Sequence, residues 1–108
     1  MTDKIVVLST CATEADAERL ARALVAARLA ACVNVVPGVR SFYRWKGEIE
    51  SSAEFLLIVK TSRELFPALS AEFAKLHPYE VPELLALPVV DGAADYLSWL
   101  HANLRAPQ

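Results

Sequence analysis

The chain has 108 residues, 55% of them hydrophobic and only three of them glycine, which implies one folded domain over residues 1–108 and excludes a disordered chain. Eleven basic against 13 acidic side chains give a formal charge of -2, without the basic footprint that nucleic acid or an anionic membrane surface demands. No apolar run approaches the roughly 20 residues of a membrane helix, the opening MTDKIVVLSTCATEAD lacks the cleavage pattern of a secretory signal, and two cysteines are no disulfide framework. A soluble cytoplasmic protein with free thiols is expected.

Lys4 to Ser9 is a short β-branched run that reads as a strand. Thr13, with Asp16 three residues later, is a helix start of the capping-box type. Ala17, Leu20, Ala21, Leu24 and Val25 then follow at helical spacing, and the helix is expected to end near Arg28. From Ala30 to Trp45 the chain is rich in Val, Phe and Tyr, and its break at Pro37 and Gly38 suggests a bulge within one long strand. Lys46 and Gly47 supply a hairpin signal. The return strand, Ser52 to Thr61, is apolar on both faces, as expected of a central strand covered on both sides.

A second helix is expected from about Leu65 to Leu76, with Pro67 in its first turn and Phe66, Leu69, Phe73 and Leu76 as its buried stripe. His77, Tyr79 and Glu83 follow on a connector stiffened by Pro78 and Pro82. Glu83 to Val90 is the next strand, and Pro88 assigns it to a sheet edge. Asp91 and Gly92 turn the chain into a last helix carrying Leu97, Leu100 and Leu104. The order βαββαβ is that of an α+β, ferredoxin-like sandwich, here with an extended β-hairpin and an added C-terminal helix. Tyr96 and Trp99 lie off the leucine stripe of that helix, and Phe42, Tyr43 and Trp45 crowd the hairpin tip. Both surfaces call for partner subunits.

The soft or borderline metal donors are Cys11, Cys32, His77, His101 and Met1, without CxxC, HxxxH or any other close pair. His101 reads as a solvated residue of the terminal helix and Cys32 as a small core hydrophobe, with Cys11 the more accessible thiol. Cys11 follows the first strand and His77 the second helix, and a split βαββαβ sheet can bring those ends together. Lys60, Tyr79 and Glu83 form a different set, which can line a cleft between subunits. A salt bridge setting the register of the assembly is preferred there over a ligand site, with Glu83 expected beside Lys60 or the Tyr79 hydroxyl. Neither a Ser-His-Asp set, nor GxSxG, nor a glycine-rich phosphate loop is present, so no enzymatic activity and no organic cofactor are expected.

Several of these segments occur together in one known family. LAACVNVVPGVRSFYRWKGEIE (Leu29 to Glu50), Lys60 with Thr61, the segment from His77 to Glu83 and DYLSWL (Asp95 to Leu100) resemble the CutA family of divalent-cation-tolerance proteins, from about Ile5 to Arg105. The resemblance implies the ferredoxin-like fold, a homotrimer with Trp45, Tyr96 and Trp99 at its interface, and a role in the response to metal ions. It also implies copper or another divalent cation as ligand. Members described as copper binders use a cysteine at the end of the first strand and histidines before the PY step. Here Ser9 stands at that strand end, with Cys11 two residues on, and Leu76 precedes His77, so the carry-over reaches only Cys11 and His77. The alternative is a trimeric module, similar in architecture to PII signalling proteins, that binds a small molecule or protein in intersubunit clefts.

Overall fold

In the computed structural model, which describes residues 1–107, the alternation that begins at Lys4 carries through Ser9 to Cys11, forming β1 (Lys4–Cys11). Its odd-numbered residues Ile5, Val7, Ser9 and Cys11 are all buried. Thr13 caps α1 (Glu14–Ala26) by accepting a hydrogen bond from the Asp16 backbone N–H at 3.1 Å, as the sequence spacing predicts. The helix stops two residues short of Arg28, which takes a left-handed φ of 59° and reverses the chain. Val25 faces solvent rather than the core; Ala17, Leu20 and Leu24 alone complete the buried stripe.

The long hairpin consists of β2 (Cys32–Trp45) and β3 (Glu48–Ser62). Lys46 and Gly47 both have positive φ, 51° and 82°, which is the two-residue turn whose twist matches antiparallel strands. The register slips between Val36 and Val39, where Gly38 has φ 78°, so the Pro37–Gly38 break is a bulge within one strand. A single 3-10 turn, Arg63–Leu65, feeds α2 (Phe66–Leu76), with Pro67 in the first turn where its missing donor costs nothing. Next come β4 (Leu85–Pro88) and α3 (Ala94–Ala102). The predicted strand from Glu83 to Val90 is thus cut to four residues, because its ladder with β1 spans only Ile5↔Pro88 to Leu8↔Leu85.

The sheet order is β2-β3-β1-β4 with every neighbouring pair antiparallel, the α+β ferredoxin-like arrangement with an added C-terminal helix. Ile5, Val7, Leu57 and Val59 meet Leu20 and Leu24 of α1 and Leu69 and Phe73 of α2 in one core. Burying each large side chain contributes about 1.5–3 kcal/mol. Thr61 donates to the Leu29 carbonyl at 2.7 Å, satisfying a buried acceptor where the chain leaves α1.

The expectation that β3 is covered on both faces fails in the isolated chain. Leu57 and Val59 lie under the helices, whereas Leu56 and Ile58 on the opposite face are only half-buried. The two edge strands are likewise open: Leu85 and Leu87 of β4, and Phe42, Tyr43 and Trp45 of β2, are exposed.

Candidate functional site

Pro78 and Pro82 deny the connector after α2 two backbone donors, so side chains anchor it instead. His77, the C-cap of α2, is buried and accepts the Tyr79 N–H at Nδ1 (3.1 Å). That bond puts the ring proton on Nε2, which donates to the Thr10 carbonyl at 2.8 Å. The imidazole packs between Phe73 and Tyr79, with ring centroids 5.2 and 4.6 Å away. The histidine thereby pins the connector to the end of β1 and aims the Tyr79 ring across the sheet.

There the Tyr79 hydroxyl donates to Glu54 Oε2 at 2.6 Å. Glu54 sits beside the bulge of β2, opposite Val39, and is only 6% exposed. Burial, together with the hydrogen bond to the Glu54 carboxylate, pushes the Tyr79 phenol far above its ordinary range. The two side chains are among those lining an open cleft of about 840 Å3 between the hairpin and the connector. Tyr43, Trp45, Glu80 and Glu83 are among its walls, and no lysine, arginine or histidine lines it among the described residues.

Lys60 is not brought to this cleft within one chain. It stands six residues along β3 from Glu54, about 20 Å at strand rise, and its ammonium is bound by the Asn34 side-chain carbonyl with Cys32 Sγ at 3.8 Å. Glu83 lines the cleft with Tyr79 but is exposed, and the phenol expected to serve it is bound to Glu54. Glu54 is absent from the residues that the sequence singles out. Its one local signal is an acid opening the apolar run FLLIV, which strand periodicity alone does not distinguish from a strand end.

The thiols are reversed from expectation. Cys11 is fully enclosed, because it shares the helix-covered face of β1 with Val7 and Ser9, while Cys32 at the start of an edge strand is half-buried beside Lys60. Burial, with Asp16 and Glu54 nearby, pushes the Cys11 thiol up, disfavouring the thiolate that metals bind. His77 has both nitrogens committed to backbone groups. Among the described residues no three His, Cys, Asp or Glu side chains converge as a metal site. Cys11 and His77 are therefore neighbours at one end of the sheet without being a ready ligand pair. His101 is exposed, yet its Nδ1 accepts from the buried Lys4 ammonium at 3.1 Å.

Comparison with known proteins gives the family. The model of the CutA1 divalent ion tolerance protein family matches residues 5–103. The chain belongs to this family. It is 52% identical over 98 residues to the divalent-cation tolerance protein CutA of Thermus thermophilus, covering 91% of this chain and 95% of that one. It is 46% identical over 103 residues to the protein of the same name from Pectobacterium atrosepticum, covering 95% and 94%. Among solved structures, a divalent cation tolerance protein of Thermus thermophilus superposes with a TM-score of 0.92 at 50% identity, covering 94% of this chain and 99% of that one. Coverage that complete extends the likeness to the whole α+β architecture, hairpin and C-terminal helix included.

Proposed function

We propose that this chain serves divalent-cation tolerance and the response to metal ions as a cytoplasmic, single-domain homotrimer, holding copper or another divalent cation and catalysing no reaction. The observation that carries the reading is the family match over residues 5–103, supported by relatives named for divalent-cation tolerance. Assembly is supported by the open edges of β2 and β4 and by the surface of Tyr96 and Trp99, residues that are each 45% exposed and whose rings pair at 5.6 Å. Trp45 adds a further exposed aromatic on the hairpin.

The donors of one chain do not fit a resident metal as they stand: Cys11 is enclosed and His77 is bound at both nitrogens. The cation is accordingly assigned to the assembled protein and not to that pair. Copper titration of the assembled protein, beside a Cys11→Ser, His77→Gln variant, tests this. Saturable binding in both proteins is expected. Absence of saturable binding of copper, zinc or any other divalent ion removes the metal from the reading, and a monomer in sedimentation at low concentration removes the trimer.

The aromatic and acidic cleft supports a second reading, a trimeric module that binds a small molecule between the hairpin and the connector.

A further inference from the structure

We propose that the contact between Lys4 and His101 is a pH-sensitive latch, which holds the last turn of α3 against the start of β1 and opens when the imidazole takes up a proton. A fastening of this kind is needed. With nine residues and no side-chain cap at its start, α3 is too short to persist as an isolated helix, so tertiary contacts keep it in place. Leu100, 3% exposed, is its buried anchor. Around and beyond Leu100 three polar contacts hold the end of the helix: the Lys4 ammonium donates to His101 Nδ1 at 3.1 Å, Arg28 donates to the Ala102 carbonyl at 2.7 Å, and the Arg105 N–H donates to the Arg28 carbonyl at 2.9 Å. Only the first contains a side chain of the type that changes charge between about pH 5 and 8.

Lys4 decides the sign. Its side chain is 5% exposed, so the ammonium depends on acceptors within the protein, here Asp3 Oδ1 at 2.7 Å and His101 Nδ1. An ammonium has no lone pair, and Nδ1 can serve it only while unprotonated. Protonation there removes the bond and sets two cationic groups 3.1 Å apart. The latch is thus closed on the alkaline side of the imidazole range and opens as pH falls. Asp3 attracts an imidazolium, but its carboxylate is already bound to Lys4 and is held below the usual carboxylate range, so it stays charged throughout this window. Arg63, whose N–H the Asp3 carbonyl accepts, Arg28 in the turn after α1, Lys60 on β3 and Arg105 after the helix are further positive charges on the segments around α3. Asp95 lies at the opposite end of α3. A positive charge in the last turn gains from the helix dipole, an effect smaller at an exposed ring than the loss of a charge-assisted bond to a buried ammonium. The contact lies within one chain, and adding subunits can only enclose Lys4 further. At about 100° per residue, His101 lies about 200° around the helix from Trp99, away from the aromatic surface given to subunit contacts.

The test follows hydrogen exchange of the assembled protein by mass spectrometry between about pH 8 and 5.5, the range in which imidazole titrates, with rates corrected for the intrinsic pH dependence of exchange. Protection of the α3 amides should fall at least about fivefold across that range in the wild type and less than about twofold in His101→Asn, whose side-chain oxygen keeps an acceptor in place of Nδ1 and takes up no proton. His77, the other of the two histidines, is the same in both proteins, so the difference reports His101. Lys4→Met removes the cation from the ring and should also flatten the pH profile; it carries the comparison if His101→Asn does not assemble. Wild-type protection of α3 that is independent of pH, as when subunit contacts alone clamp the helix, overturns the latch. An equal fall in the wild type and in either variant overturns it as well.

Discussion

Replacing Tyr79 by phenylalanine removes a single oxygen and tests whether the phenol is what holds a buried carboxylate. The hydroxyl donates to Glu54 Oε2 at 2.6 Å, and no other side-chain donor reaches that carboxylate among the described residues. A hydrogen bond to a charged group contributes about 1.5–3 kcal/mol, and a buried acceptor left bare costs in the same range. Because the cleft is open, water recovers part of the loss, which puts the expected destabilisation near the lower end, about 1.5–2 kcal/mol. Urea denaturation at fixed protein concentration reads it as a lower midpoint with an unchanged slope.

The same variant has a signature in alkali. The folded-state pKa of Tyr79 is raised above its ordinary value of 10.0, first by burial and then by Glu54. Below that ordinary value both states keep the proton and this group adds no pH dependence. Above it the unfolded chain loses its proton first, so the native state binds more protons and stability falls as pH rises. Tyr79→Phe should therefore lose less stability than the wild type above about pH 10. A variant within about 0.5 kcal/mol of the wild type at neutral pH, with an unchanged alkaline limb, would refute the assignment. A double-mutant cycle with Glu54→Gln isolates the pairwise part.

Limiting thiol reagent on the folded protein should modify Cys32 and spare Cys11, which is enclosed and has its thiol pushed up by burial; peptide mapping that finds Cys11 labelled first contradicts the structure. Thr61→Val keeps the side-chain shape but strands the buried Leu29 carbonyl, and should cost about 1–3 kcal/mol in denaturant titration, a loss under about 0.5 kcal/mol arguing against that bond. Asp3 accepts from the buried Lys4 ammonium at 2.7 Å, which holds its carboxyl below the usual range. Its stabilising contribution is present above the unfolded value of 3.8 and is lost as pH falls through the lower folded value, so Asp3→Asn should flatten the acid limb of the stability curve. Identical acid limbs in the two proteins would remove Asp3 from that role.

Much of the fold was legible because local rules and global packing agree. The Thr13 cap, the positive-φ turn at Lys46 and Gly47 and the bulge at Gly38 are set by residues within a few positions of one another, and each formed as read. The alternation of Ile5 and Val7 and the helical spacing of Leu20, Leu24, Leu69 and Phe73 likewise determined which faces meet. Family membership was legible for a similar reason, since the segments that carry it are continuous in the chain.

The site was not legible in the same way. His77 and Tyr79 were singled out from the connector, yet their partners, Thr10 and Glu54, lie 67 and 25 residues away. No spacing rule reaches that far. Only the sheet order, which sets β1 beside β3, decides that Tyr79 meets Glu54 and that Lys60 is left elsewhere. The two thiols make the same point: periodicity reports that neighbouring residues alternate, but only the side of the sheet on which α1 and α2 pack buries Cys11 and leaves Cys32 half open at an edge.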